Sequence, residues 1–216
     1  MTAVTLAIDN DIVIKLAQMD VYRDGLSAIG VAPTQAGSTE TMLKYLTAAA
    51  HGRKLRLPAV EQDRLKATVP TITDLAMTEA ESKIAVAMMK AIPQADLDLD
   101  EGETALMAIA TQRDGLEVAT GDKKALRDLP SLAKVYPGLN VLKGRFICLE
   151  QIFRRICQIH GFRRVREAVL TATHADTTIF AFYDAVAGHG ANFALAMKAV
   201  VEDQINKPAP GWLKSL

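Results

Sequence analysis

Val4-Thr5-Leu6-Ala7-Ile8 reads as a short buried strand, and Ile12 to Met19 as the helix directly after it. A strand that hands over at once to a helix is how α/β folds begin. A second unit follows much later in the chain. Thr104 to Arg113 reads as a helix with Leu106, Ile109 and Ala110 on its core face, Gly115 ends it, and Leu116-Glu117-Val118-Ala119-Thr120 is a strand. Gly121-Asp122 then turns into another helix, Lys123 to Leu129. Strand–helix followed by helix–strand–helix predicts a largely parallel sheet with right-handed crossovers.

Between these units the signals are weaker. An extended piece is expected around Val31-Ala32-Pro33, a helix from Ser38 through Ala50, a basic loop at His51-Gly52-Arg53-Lys54 and Arg56, and a helix from Glu79 to Lys90 that Pro93 stops. Beyond Pro137-Gly138 no strand pattern is evident. Arg145 to His160 and Arg163 to Thr173 read as helices, His174 and Asp176 as helical positions that are structural or at the surface, and Gly188-His189-Gly190 as a break before a last helix, Asn192 to Gln204. The expected organisation is an α/β three-layer sandwich over residues 1–144, with a helical extension, 145–216, packed on it.

Composition narrows the class. Half of the 216 residues are hydrophobic, which suffices for a sizeable core. Lys+Arg and Asp+Glu both total 25, so net charge selects no partner. Cys148 and Cys157 have no close spacing and no second pair, which argues against a disulfide framework or a zinc site and for a reducing compartment. No run reaches the ~18 apolar residues of a membrane helix. A soluble, cytoplasmic chain with no membrane partner is the expectation. Phosphate-binding glycine loops, a nucleophile elbow and a His-Glu-x-x-His helix are all missing from the sequence.

What remains is a set of carboxylates. Ligands of an α/β sheet bind outside the carboxyl ends of its strands. Asp9 and Asp11 follow the first strand, Asp122 follows the strand ending at Thr120, and Glu103 sits in the first turn of the helix between them. Carboxylates converging on one edge repel, and a hard divalent cation with oxygen ligands is their natural neutraliser. Such cations can activate water and stabilise the leaving oxygen of a phosphodiester. Each residue also has a purely structural role open to it. Asp11 and Asp122 can cap helices, Asp100 and Glu103 have capping-box spacing, and Glu40 can complement a helix dipole. Asp9 is the hardest to explain structurally if Asp11 is the cap.

Taken in order, Leu6-Ala7-Ile8-Asp9-Asn10-Asp11, Asp100-Glu101-Gly102-Glu103-Thr104-Ala105 and Val118-Ala119-Thr120-Gly121-Asp122 resemble the PIN-domain family over roughly residues 3 to 145. That resemblance implies that Asp9, Glu103 and Asp122 are metal-binding acids, with Asp11 where the family often has Asn and Thr120 at its hydroxyl position. The family's further acid, on the second helix, falls on Glu40, with Glu79 or Glu81 as alternatives. It also implies Mg2+- or Mn2+-dependent endonuclease chemistry on RNA. Many relatives are toxins of toxin–antitoxin pairs and some are inactive, so the implied partners are RNA, an antitoxin or other regulatory protein, and a second copy of the chain. One rival is a phosphohydrolase resembling the haloacid-dehalogenase family, with Asp9 as nucleophile and Asp11 as acid/base. It lacks that family's later acidic motif, because Lys123-Lys124-Ala125 follow Gly121-Asp122. The other rival is an inactive scaffold of the same fold that binds RNA or protein.

A basic run completes the picture. Lys143, Arg145, Arg154, Arg155, Arg163, Arg164 and Arg166 face Glu150 alone before Glu167. Arg154, Arg155, Arg163 and Arg164 are therefore candidate RNA contacts, or contacts to an acidic partner, while Phe146, Phe153 and Phe162 read as core.

Overall fold

The computed structural model describes residues 3–97, 99–186 and 190–216. Its centre is a sheet of five short parallel strands: β1 (Leu6–Ile8), β2 (Ala36–Ser38), β3 (Thr73–Asp74), β4 (Glu117–Thr120) and β5 (Phe146–Cys148). Their order across the sheet is β3-β2-β1-β4-β5. The chain thus steps outward from β1 to β3 on one side, then crosses to β4 on the other. Leu6, Ala7 and Ile8 lie opposite Glu117, Val118 and Ala119, and the Asp9 amide extends that ladder by donating to the Ala119 carbonyl at 3.0 Å.

Alternation along these strands builds two cores. Leu6, Ile8, Ala119 and Ile147 join one buried cluster, whereas Ala7, Val118, Phe146 and Cys148 join the other. The first is covered by α1 (Asn10–Gln18), α2 (Tyr22–Ala28), α3 (Glu40–Ala50), α4 (Ala59–Thr68), α8 (Leu149–His160), α9 (Phe162–Thr171), α10 (Thr177–Ala185) and α11 (Gly190–Val201). The second lies under α5 (Glu79–Ala91), α6 (Glu101–Gln112) and α7 (Lys123–Val135), with Trp212 of the C-terminal segment edge-on to Phe146. Helices on both faces of a parallel sheet give the expected α/β layering.

Several local expectations are corrected. The extended piece near Val31 is displaced to β2, after a 3-10 turn at Pro33–Gln35. Ser38 ends that strand instead of opening a helix, and its hydroxyl donates to the Ile8 carbonyl at 2.9 Å while Thr39 caps α3. The basic loop leads into α4, whose inward face is only Glu61, Leu65 and Thr68, too sparse a stripe to read from sequence. α7 does not stop at Leu129. It runs through Pro130, because Leu126, Leu129, Leu132 and Ala133 are all buried along one face. His174 and Asp176 lie in the turn before α10, not in a helix. Asp98 and the Gly188-His189 portion of the expected break lie outside the described residues.

The largest change concerns the segment after 145. It opens with a strand, not a helix, and β5 pairs with β4 in register Phe146–Val118, Ile147–Ala119 and Cys148–Thr120. Three apolar residues in a row suit a doubly buried strand as well as a helix, which is why the pattern misleads. The helices that follow are part of the first core. Phe153, Val165, Ile179, Phe193 and Met197 are fully buried in the cluster that contains Leu6, Ile8 and Leu16. The segment after residue 145 therefore supplies a sheet strand and one wall of the core together. Phe153→Ala should cost about 3–5 kcal/mol in urea unfolding. A chain cut after residue 144 should show no cooperative transition, since it lacks β5 and bares the β4 edge.

Candidate active site

Because β1 and β4 lie side by side while the chain leaves them in opposite directions, a crevice opens beyond their carboxyl ends, where open α/β sheets bind ligands. The crevice here is a cleft of about 920 Å³. Asp9, Asp11, Asp100, Glu103 and Asp122 all line it, together with Lys15, Lys123, Lys124, Arg127, Thr41 and Tyr45. Each acid arrives by a separate local device.

Asp9 ends β1 in extended conformation and occupies the N-cap position of α1 without making a side-chain cap bond. It is 8% exposed. Asp100 and Glu103 form a reciprocal box at the start of α6: the Glu103 amide donates to Asp100 Oδ1 at 2.7 Å, and the Asp100 amide to Glu103 Oε2 at 3.3 Å. The other carboxylate oxygen of Glu103 lies 3.5 Å from the Thr120 hydroxyl, which donates to it. Thr120 also accepts from the Asp122 amide at 3.1 Å. Asp122 in turn caps α7, its Oδ1 accepting from the amides of Lys124 and Ala125 at 2.7 and 3.1 Å. Capping and clustering are thus not alternatives. The caps fix the backbone that carries the cluster.

Electrostatics record the crowding. Burial, then the charges of Asp11 and Asp100, push Asp9 up to about 7 from an ordinary 3.8. Burial, then Asp122, Asp100 and Asp9, push Glu103 up to about 8 from 4.5. Among the described residues no Lys or Arg forms an ion pair with Asp9, Asp100, Glu103 or Asp122. Nor, among them, is any group of three or more His, Cys, Asp or Glu side chains drawn together closely enough to hold a metal ion as it stands. Like charges in a desolvated cleft keep their distance unless something positive joins them.

The remaining predicted positions separate. Asp11 lines the cleft but is held by Lys15, whose Nζ is 2.7 Å from its Oδ2. Glu40 is on the exposed side of α3, 2.7 Å from Lys44, outside the cleft that its neighbours Thr41 and Met42 line. Glu79 pairs with Lys83 on the surface. Glu81 is buried in a capping box with Thr78 and in a two-point contact with Arg113 at 2.7 and 3.0 Å. The additional acid at the site is Asp100, whose cap spacing had concealed it.

The four candidate RNA-binding arginines do not form one basic surface. Arg154 donates to the Leu216 carbonyl, Arg155 to the Ala28 carbonyl at 3.3 Å and to Gln158, and Arg164 to Asp24 and the Asp20 carbonyl. Only Arg163 is broadly exposed, paired with Glu167. The cations that do face the acids, Lys15, Lys123, Lys124 and Arg127, come from α1 and α7. Their one sequence signal is position, within a turn or two of Asp11 and Asp122. Lys123 is anchored in turn by Glu150, a 1%-exposed residue at the start of α8, at 2.6 Å.

No family model, curated protein or solved structure matches the chain. No helix among the described residues is long and apolar enough to cross a membrane.

Asp9 and Glu103 bind their protons more tightly in the folded chain than in the unfolded one. Without a bound cation, they therefore favour the folded state at low pH and lose that contribution as pH rises from their unfolded values through about 7 and 8. In metal-free buffer the melting temperature should fall between pH 5 and 9. Asp9→Asn and Glu103→Gln should each flatten that fall and gain roughly 1–3 kcal/mol at pH 8. Parallel pH curves for wild type and variants would show that the two groups are not strained by burial and repulsion.

Proposed function

We propose that the cleft holds Mg2+ or Mn2+ and that the protein hydrolyses RNA phosphodiesters, as a metal-dependent endoribonuclease of PIN-like architecture. The observation that carries this reading is the pair of buried acids, Asp9 and Glu103, without an ion-pair partner among the described residues and set beside Asp100 and Asp122 at the switch point of a parallel sheet. Repulsion of that kind destabilises a fold, and sites of function are where such a cost is retained.

The donors fit a hard cation: they are carboxylate oxygens, without thiol or imidazole. Asp9, Glu103 and Asp122 would hold it, with Asp100 alongside. When bound, the cation supplies an activated water and charge stabilisation for the leaving oxygen. The chain's own groups do the rest. Thr120 orients the Glu103 carboxylate through its hydroxyl. Asp122 is fixed by the helix it caps. Arg127 of α7 lines the same cleft beside Lys124 and supplies charge complementary to a phosphate backbone. The dehalogenase-like alternative requires Asp11 as a mobile acid/base beside Asp9, whereas Asp11 is tied to Lys15.

Asp9→Asn and Asp122→Asn keep the side-chain shape and remove a ligand charge. Each should lower Mn2+-dependent cleavage of a fluorescent single-stranded RNA by more than roughly 100-fold, beyond the usual cost of losing an outer-sphere partner. Each should also remove the Mn2+-induced rise in melting temperature expected of wild type. Cleavage by Asp9→Asn at the wild-type rate would make Asp9 structural. Arg127→Ala should raise KM with kcat little changed, and should reduce the salt slope of RNA binding by about 1. An unchanged slope would remove Arg127 from the RNA path.

A further inference from the structure

Lys15 sits where α1 faces the cleft, one turn beyond Asp11, and its ammonium is shared between two carboxylates: Asp11 Oδ2 at 2.7 Å and Asp176 Oδ2 at 2.9 Å. Asp176 is 8% exposed and is itself fixed, because its other oxygen caps α10 by accepting from the Ile179 amide at 2.8 Å. Burial works against the charge on Lys15, but the two carboxylates outweigh it and hold its pKa above the ordinary lysine value. On the far side of Asp11 the β4–α7 turn closes in. A Cβ at Gly121 would run into Asp11 Oδ2, so a larger residue there would force the Asp11 carboxylate to move. Asp11 Oδ2 thus meets the Lys15 ammonium and lies in the space a side chain at residue 121 would take. Among the described residues, Asp11 is the one acid lining the cleft that forms an ion pair with a lysine or arginine.

We propose that Lys15, oriented by Asp176, is a positioning residue that withholds Asp11 from the metal-binding carboxylates and so limits the affinity of the cleft for a divalent cation. The inference rests on the metal-binding reading of Asp9, Glu103 and Asp122. Removing the ammonium releases a carboxylate beside Asp9 and adds one unmet negative charge to the cleft. The consequence is opposite in sign to ordinary damage: a disrupted site binds metal more weakly, whereas a site without Lys15 binds it more tightly.

The test is Mn2+ titration of the full chain, followed by calorimetry and by the spin signal of the unbound ion, with no RNA present. Lys15→Met should tighten Mn2+ binding at least about 5-fold, the scale of one added nearby charge in a partly screened site. Asp176→Asn, which loosens Lys15 without removing it, should tighten binding less, and Lys15→Arg should behave as wild type. Asp11→Asn should change affinity less than about 3-fold, and Lys15→Met should no longer tighten binding when combined with Asp11→Asn, since the effect runs through Asp11. Circular dichroism at the titration temperature confirms that each variant is folded, and Asp176→Asn carries the test if Lys15→Met is not. Weakened or unchanged binding in the folded Lys15 variant overturns the inference, as does an Asp11→Asn loss equal to that of Asp9→Asn. Those results leave the metal site standing. A wild-type chain that binds no Mn2+ overturns the metal site and the inference with it.

Discussion

The parallel pairing of β1 with β4 is the contact on which the rest of the molecule depends. Two parallel neighbours cannot be joined by a tight turn, so each needs a crossover, and these crossovers place helices on both faces. The same pairing brings the carboxyl ends of two strands far apart in sequence to one edge. With Ile8 opposite Ala119, the next residues, Asp9 and Thr120, fall on the face covered by α6, and Glu103 at the start of α6 meets them there. A one-residue slip in that register would turn Asp9 to the opposite face, among Ile8's neighbours. The alternation of side chains between the two faces along β1 is therefore also what aims the acid.

This logic explains which parts of the molecule were legible in advance. Asp9 and Asp122 could be placed because a residue directly after a buried strand has few places to go, and Glu103 because a helix start after an acidic turn must face that edge. Glu40 was misassigned because a helix acid can face either way, and the direction of α3 depends on contacts remote in sequence. Asp100 was accounted for by its cap and so passed over, although a cap uses only part of a carboxylate. β3 and β5 are two and three residues long, below the length at which period-two alternation can be distinguished from a helical segment. α4 buries a glutamate and a threonine beside a single leucine, so its inward face carries almost no hydrophobic signal.

The arginine cluster shows the same limit from the electrostatic side. Charge density along a chain is not charge density on a surface. Arg154, Arg155 and Arg164 donate to backbone carbonyls at Leu216, Ala28 and Asp20, satisfying acceptors at the ends of other segments. Guanidinium groups suit that task because their several donors can serve a carbonyl and a neighbouring acid together, as Arg164 does with Asp24. Removing them would loosen the joints between α8, α9 and the first helices before it altered any surface potential.

Two lysines at the cleft, Lys15 and Lys123, lean on Asp176 and Glu150, both buried and both supplied by the second half of the chain. This has a consequence for the order of events during synthesis. The acids Asp9, Glu103 and Asp122 leave the ribosome well before residues 150 and 176, yet Lys123 lacks Glu150, Lys15 has Asp11 without Asp176, and β4 remains an edge until the later segments arrive. A nascent chain at that stage has every acid of the cleft and no settled cleft. The cleft in its folded form is therefore completed late, after synthesis has passed Asp176.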